Sequence, residues 1–104
     1  IITLYASVCH PESRGRVALT PERRPRVVHR LFDDERDMMT MIAGCKLIDK
    51  LYHTPAMQRL VTGDRNPNPV PTSDEEWATF IRAKAALGYH AVGTCRMGSD
   101  AQSV

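Results

Sequence analysis

The stretch DDERDMMTMIAGCKLIDKLYH, at residues 33–53, decides the fold class of this chain. Apolar residues recur in it at intervals of three and four, which is the spacing of one face of an α-helix. Asp33 or Asp34 is suited to cap its N-terminus, because a short carboxylate accepts hydrogen bonds from the unpaired amides of the first turn. The stretch therefore predicts a long helix that ends near His53. It buries one apolar stripe, made of Met38, Ile42, Cys45, Ile48 and Tyr52.

The sequence before this helix has the two-residue period of β-strands. Residues 1–8 alternate between two faces, and residues 16–20 form a second short run of the same kind. A turn separates them, in which Gly15 can adopt a positive φ at little cost. We expect these two strands to pair antiparallel and residues 27–28 to add a third. The strands then occupy about residues 1–31.

Two further segments follow the long helix. Residues 55–61 predict a short helix, and the proline-rich residues 64–72 predict a rigid extended loop. Ser73 then begins another helix, since Glu76 three residues later completes the pattern of a capping box. The fold class is therefore α+β, with antiparallel strands and flanking helices. The helical regions cover about residues 34–62 and 73–87.

Composition describes one small globular domain. The chain has 104 residues, of which 42% are hydrophobic and 25% charged, and its formal net charge is +2. The six arginines between residues 14 and 30 have no aromatic residues among them, so we predict a solvated face and no nucleic-acid partner. No apolar run approaches the roughly 20 residues of a membrane-spanning segment. Three irregularly spaced cysteines predict no metal site and favour a reduced, cytoplasmic chain.

Residues 88–98, GYHAVGTCRMG, are neither helical nor alternating. Gly88 and Gly93 allow the backbone to approach a bulky group closely. His90 lies between them, and an imidazole ordinarily titrates near pH 6.5, so it can serve as a general acid or base at neutral pH. A single histidine is more often a structural residue, so the residues alone leave both interpretations open.

This segment closely resembles the histidine motif of the glucose–methanol–choline (GMC) oxidoreductases, which are flavoenzymes that oxidise alcohols. Two other segments are similar to the family in the same order along the chain. PESRGRVAL, at residues 11–19, resembles the family's Pro-x-Ser-Arg-Gly-x-Val-x-Leu segment. Residues 73–82 resemble the helix that precedes the histidine there. The three similarities span nearly the whole chain, which resembles an incomplete C-terminal region of a choline dehydrogenase-like member.

The resemblance implies that residues 1–104 are part of the C-terminal substrate (cap) domain, with the flavin-binding domain absent from the chain. His90 would accept the proton of the substrate hydroxyl while hydride passes to N5 of FAD. Tyr89 and Val92 would line the cavity shared by substrate and flavin. The implied partners are a small-molecule alcohol and the missing flavin-binding domain, which would bind most of the FAD because Gly-x-Gly-x-x-Gly occurs nowhere in this sequence.

These implications predict an isolated chain that is inactive. Its flavin-facing side would be apolar and uncovered, so we expect self-association. A second hypothesis is a non-catalytic interaction module derived from the cap fold, which would be monodisperse and melt cooperatively. A third, a basic nucleic-acid binder, would show salt-sensitive retention on DNA.

Overall fold

The computed structural model describes residues 2–61, 63, 66–101 and 103–104. It has the α+β class that the sequence predicts, a small antiparallel sheet followed by helices. The predicted features at Ile1, Thr62, Asp64 and Arg65 lie outside the described residues. The elements are β1 (Arg16–Leu19), β2 (Pro25–Val28), α1 (Glu35–Tyr52), α2 (Pro55–Gln58) and α3 (Asp74–Lys84).

The sheet forms from a different pair of segments than the sequence predicts. β1 pairs antiparallel with β2, with Val17 opposite Val27. Residues 2–8 belong to no strand, so the predicted strand at residues 1–8 and its pairing with residues 16–20 are wrong for the described residues. The predicted short strand at residues 27–28 is confirmed as part of β2. Alternation shows that a segment has two unlike faces, but it does not identify the segment with which it pairs.

A five-residue turn joins β1 to β2. The Thr20 amide donates to the Arg24 carbonyl, and the Arg23 amide donates to the Thr20 carbonyl, both with an N···O distance of 2.8 Å. Arg23 has a φ of 61°. Gly15 does not use the positive φ that glycine permits, since among the described glycines only Gly93 adopts one. Gly15 is needed instead for close approach, since a Cβ there would lie 2.8 Å from the His29 carbonyl oxygen.

The long helix α1 begins and ends where the sequence predicts. Asp34 is the N-cap and His53 the C-cap. The Asp34 carboxylate accepts a hydrogen bond from the Arg36 amide at 3.0 Å. The Arg36 side chain also donates to it, and these bonds lower the pKa of Asp34 to about 2. The predicted apolar stripe is confirmed, because each member is buried or half-buried: Met38, Ile42, Cys45, Ile48 and Tyr52.

Helix α3 starts at the predicted position. The Ser73 hydroxyl accepts from the Glu76 amide at 3.2 Å, which is one half of the predicted capping box. The Glu76 carboxylate accepts mainly from the Thr72 amide, at 2.6 Å, and from the Thr72 hydroxyl, and the Ser73 amide of the other half contributes less. These bonds hold the pKa of Glu76 below its ordinary value. The N-terminus of α3 is therefore fixed by two consecutive residues.

Helices α2 and α3 are both shorter than predicted. α2 ends at Gln58 and does not reach residue 61. α3 ends at Lys84, and Ala85 is already extended, with φ −62° and ψ 140°. Gly88 therefore lies beyond the helix and does not terminate it. None of the described helices combines the length and the apolar composition that crossing a bilayer requires.

The hydrophobic core lies between α1 and α3. The rings of Trp77 and Phe80 meet edge to face, with centroids 6.0 Å apart. An ion pair between Lys46 of α1 and Asp74 at the start of α3 spans the same two helices. Among the described residues, the core is formed by Met38, Ile42, Trp77 and Ile81.

The solvent-accessible surface is large for the mass of the chain. It amounts to 8948 Å², whereas a compact monomer of this mass has about 5,900 Å². The Cα radius of gyration is 17.8 Å, against roughly 13 Å for a compact domain of this length. Val17, Leu19 and Val27 on the β1–β2 hairpin are each more than half exposed. The described residues therefore leave uncovered an apolar surface that a compact domain would bury.

Candidate functional site

Residues 2–13 run along α1 in the direction opposite to the helix. Near the C-terminal end of α1, the Tyr52 hydroxyl donates to the Ile2 carbonyl at 3.5 Å. In the middle of the helix, a Cβ on Gly44 would lie only 2.9 Å from the Cβ of Ala6. Gly44 thus lets this segment lie close against the helix. It leads to the Pro-x-Ser-Arg-Gly segment at the other end of α1.

Ser13 and Asp37 join the Pro-x-Ser-Arg-Gly segment to the first turn of α1. The Asp37 carboxylate accepts from the amides of Glu12 and Ser13, each at 2.8 Å. In return the Ser13 hydroxyl accepts from the Asp34 amide at 3.0 Å. Asp37 is 4% exposed, and hydrogen bonds from Ser13 and from the Glu12 amide hold the pKa of its carboxyl below the ordinary value. The sequence signals of this network are the serine of the motif and the acid at the third helical position, but neither indicates that the two segments meet.

The segment with the predicted site residues follows α3 and is exposed along its whole length, residues 88–98. His90 is exposed, and its imidazole makes no hydrogen bond within the described part of the chain. Tyr89 is 97% exposed and Val92 93% exposed. Chain continuity brings the three predicted residues together, and no other element of the described chain covers them.

Backbone conformation gives this segment its local shape. Tyr89 has a φ of 61° and Gly93 a φ of 103°, so both are in the left-handed half of conformational space. A Cβ built on Gly88 would lie 3.5 Å from Cδ2 of His90. Cδ2 of the imidazole therefore lies near Gly88, and His90 remains exposed to solvent.

Arg96 fastens the end of the histidine segment. Its guanidinium donates to both carboxylate oxygens of Asp100 at 2.7 Å. Its carbonyl accepts from the Val104 amide at 3.1 Å. Gly98 leaves space for this arrangement, because a Cβ there would lie 3.1 Å from the Arg96 guanidinium. Asp100 and the Val104 amide therefore both contact Arg96 at the end of the motif.

Of the remaining cysteines and histidines, Cys95 belongs to this segment and the others lie apart from it in the chain. Cys45 packs against the core, where burial raises the pKa of its thiol. His53 caps α1, and its Nδ1 lies 2.8 Å from the Asp49 carbonyl oxygen. Cys9 and Cys95 are exposed. Within the ranges that the structure describes, no group of three or more His, Cys, Asp or Glu side chains is arranged to hold a metal ion.

Comparison with known proteins identifies the class to which this fold and motif belong. The family described as GMC oxidoreductase matches residues 11–104. The chain belongs to this family, so the resemblance predicted from three motifs is confirmed. Members of the family are FAD-dependent oxidoreductases in general.

Curated relatives resemble nearly the whole chain. It is 39% identical over 105 aligned positions to an alcohol dehydrogenase [acceptor] of Pseudomonas putida. This alignment covers 98% of this chain and 19% of the relative. The chain is 34% identical to a choline oxidase of Arthrobacter globiformis, and that alignment covers 93% of this chain and 19% of the relative. It is 32% identical to an oxygen-dependent choline dehydrogenase of Chromohalobacter salexigens, with coverage of 89% and 17%. The chain thus spans about a fifth of the length of these relatives, and no solved structure matches it.

Proposed function

We propose that this chain is the substrate-side part of an FAD-dependent oxidoreductase that acts on the CH–OH group of a small alcohol. The observation that carries the proposal is the exposed imidazole of His90 within YHAVGTCRMG, in a chain whose family match covers residues 11–104. The printed names of its relatives supply the substrate class, because they refer to alcohols and to choline.

His90 is the proton acceptor of this reaction. An unprotonated ring nitrogen takes the hydroxyl proton, and the C–H bond then gives up a hydride as the carbonyl double bond forms. Removing the proton makes the oxygen electron-rich, which favours departure of the hydride. A positioned base contributes roughly 10²–10⁴-fold to such a step. The imidazole can do this because no described residue of the chain occupies its nitrogens.

The residues near His90 fit one side of a flavin rather than the whole cofactor. Val92 and Met97 are each more than nine-tenths exposed, and their apolar side chains suit the edge of a flat ring system. Tyr89 and Val92 would line the space between flavin and substrate.

FAD, when bound, would supply the hydride acceptor at N5. Its phosphates require a flavin-binding domain, because this sequence has no Gly-x-Gly-x-x-Gly. The isolated chain is therefore inactive.

The test uses the full-length, flavin-loaded enzyme that contains this chain. His90→Ala should retain the visible absorbance of bound flavin and lose at least a hundredfold in kcat for alcohol oxidation. His10→Ala is the matched control, because His10 is also exposed and lies outside the histidine segment. We expect its kcat to equal that of the unmodified enzyme.

Unchanged turnover in His90→Ala would show that another group accepts the proton. A flavin that is lost in His90→Ala but kept in His10→Ala would assign His90 to cofactor binding instead. If the full-length protein oxidises no alcohol, the non-catalytic interaction module becomes the better hypothesis. The cytoplasmic location stays a prediction.

A further inference from the structure

The backbone of Tyr89 adopts a conformation that its side chain does not favour. Its φ is 61°, in the left-handed region. Glycine, asparagine and aspartate enter this region most readily, and a bulky residue there is an outlier. Such outliers are found at functional sites, and Tyr89 shares this conformation with Arg23, Arg30 and Phe32. Tyr89 immediately precedes His90, so the backbone conformation of Tyr89 sets the direction in which the imidazole of His90 points.

The aromatic ring of Tyr89 does not hold this conformation in the described chain. The side chain is 97% exposed, and its hydroxyl has no hydrogen-bond partner among the described residues. At the next residue, Cδ2 of the His90 ring lies 3.5 Å from a Cβ built on Gly88. The left-handed backbone of Tyr89 therefore lies between Gly88 and the ring that it helps to direct.

We propose that Tyr89 is a positioning residue for His90 and that it acts through its left-handed backbone rather than through its ring. The inference rests on the proposed function, since it concerns the aim of the proton acceptor. In the other common conformations of residue 89, the chain would carry the imidazole away from Gly88. A misplacement of about 1 Å at a reacting group costs on the order of 10²-fold in rate. The identity of residue 89 should therefore affect kcat through its tolerance of positive φ.

The experiment compares variants of the full-length, flavin-loaded enzyme that differ in this tolerance. Tyr89→Asn and Tyr89→Thr both remove the ring and leave a small polar side chain. Asparagine enters the left-handed region readily, whereas β-branched threonine does not. We expect the Thr variant to have a kcat about tenfold lower than that of the Asn variant, because the left-handed conformation is less accessible to it. KM should change equally in both variants, since both lack the ring.

Tyr89→Phe separates the backbone from the hydroxyl, and its kcat should exceed that of Tyr89→Thr. Arg23 provides a matched control, because it also has a φ of 61° but lies in the turn between β1 and β2. Arg23→Thr should lower the melting temperature relative to Arg23→Asn and leave kcat unchanged in both. If Tyr89→Thr fails to take up flavin, Tyr89→Gly and Tyr89→Ala provide a second pair that differs by one methyl group, and Gly should have the higher kcat.

Equal kcat values in the Asn and Thr variants, or in the second pair if it is needed, would overturn the proposal. If Tyr89→Phe alone keeps a high kcat while the Asn and Thr variants lose it equally, the positioning role belongs to the aromatic ring. Both outcomes leave the function of His90 intact, because His90→Ala is measured beside them. A His90→Ala enzyme that turns over normally would instead contradict the proposed function, whatever the variants of Tyr89 do.

Discussion

The buried carboxylate of Asp37 accepts a hydrogen bond from the backbone amide of Ser13 at 2.8 Å, and this single bond joins residues 24 positions apart. The Ser13 hydroxyl completes the link by accepting from the Asp34 amide. The segment that leads into β1 is thereby fixed to the first turn of α1. Ser13 is a turn residue by its local sequence, but its hydroxyl caps the start of α1 from a distant part of the chain.

Asp37→Asn should lower the stability of the fold and weaken its dependence on acid. An asparagine side chain has one accepting oxygen, so an amide of Glu12 or Ser13 loses its partner. Thermal unfolding followed by circular dichroism at neutral pH measures the change, and we expect a melting temperature lower by several degrees, on the order of 5 °C. Glu35→Gln removes a charge from the same helical turn without touching this network. An equal loss in both variants would mean that helix-dipole charge, and not the network, is responsible.

Acid should destabilise the unmodified chain through the same turn. The pKa of Asp34 is lowered to about 2, chiefly by Arg36, and that of Asp37 is lowered by Ser13 and Glu12. A carboxyl whose folded pKa lies below its unfolded value stabilises the fold above the unfolded pKa, and this contribution disappears as the pH falls toward the folded pKa. The free energy of unfolding should therefore be level from neutral pH to about 5 and fall between about pH 4 and 2. A flat profile in that range would contradict the assigned hydrogen bonds.

Gly15→Ala should destabilise the β1–β2 hairpin for lack of space. A Cβ at this position would lie 2.8 Å from the His29 carbonyl oxygen and closer still to that of Val28. Both obstacles are backbone atoms, so the strand itself must move, and the cost should be about 1–3 kcal/mol. Urea unfolding measures it. Gly63→Ala is the control, because nothing lies within 4 Å of its Cβ position. A larger effect at Gly63 than at Gly15 would show that glycine flexibility, not close approach, is the deciding property.

The helices of this chain could be predicted well from the sequence because their signals are local. The N-cap Asp34, the apolar stripe from Met38 to Tyr52 and the start of α3 at Ser73 each depend on residues within a few positions. The α+β class and the resemblance to GMC oxidoreductases followed from equally local motifs. The predicted C-terminal ends of the shorter helices were wrong. For example, α3 stops at Lys84 although alanines continue the helical pattern.

The strands and the site could be predicted only in part, because they depend on partners that sequence spacing does not reveal. Residues 2–8 have a strand pattern but lie beside α1, whereas β1 takes β2 as its partner. The role of Asp37 required knowledge that residues 12–13 reach the start of α1. The role of His90 is predicted from its motif alone and stays a prediction. The left-handed turn at Tyr89 could not be predicted, since tyrosine carries no preference for it.

Trp77→Ala should unfold most of the isolated chain. Trp77 is 5% exposed and is central to a core that has few buried residues. Truncating a buried aromatic side chain costs about 3–5 kcal/mol, a large share of the stability of a small domain. Far-UV circular dichroism in urea measures the loss. Leu60→Ala should change stability by less than about 0.5 kcal/mol, because Leu60 is 67% exposed. Equal losses in the two variants would place the core elsewhere.

The isolated chain should associate with itself and bind no flavin. One face of the β1–β2 hairpin exposes Val17, Leu19 and Val27, and the accessible surface exceeds that of a compact monomer by about half. Light scattering should therefore detect species larger than 11.7 kDa. Val17→Lys together with Val27→Lys should shift the chain toward monomer, because the two residues are cross-strand partners on that face. Arg16→Lys, on the opposite face, should leave association unchanged. A monodisperse monomer with a cooperative transition would contradict an uncovered interface, and visible flavin absorbance in the purified chain would contradict the need for a second domain.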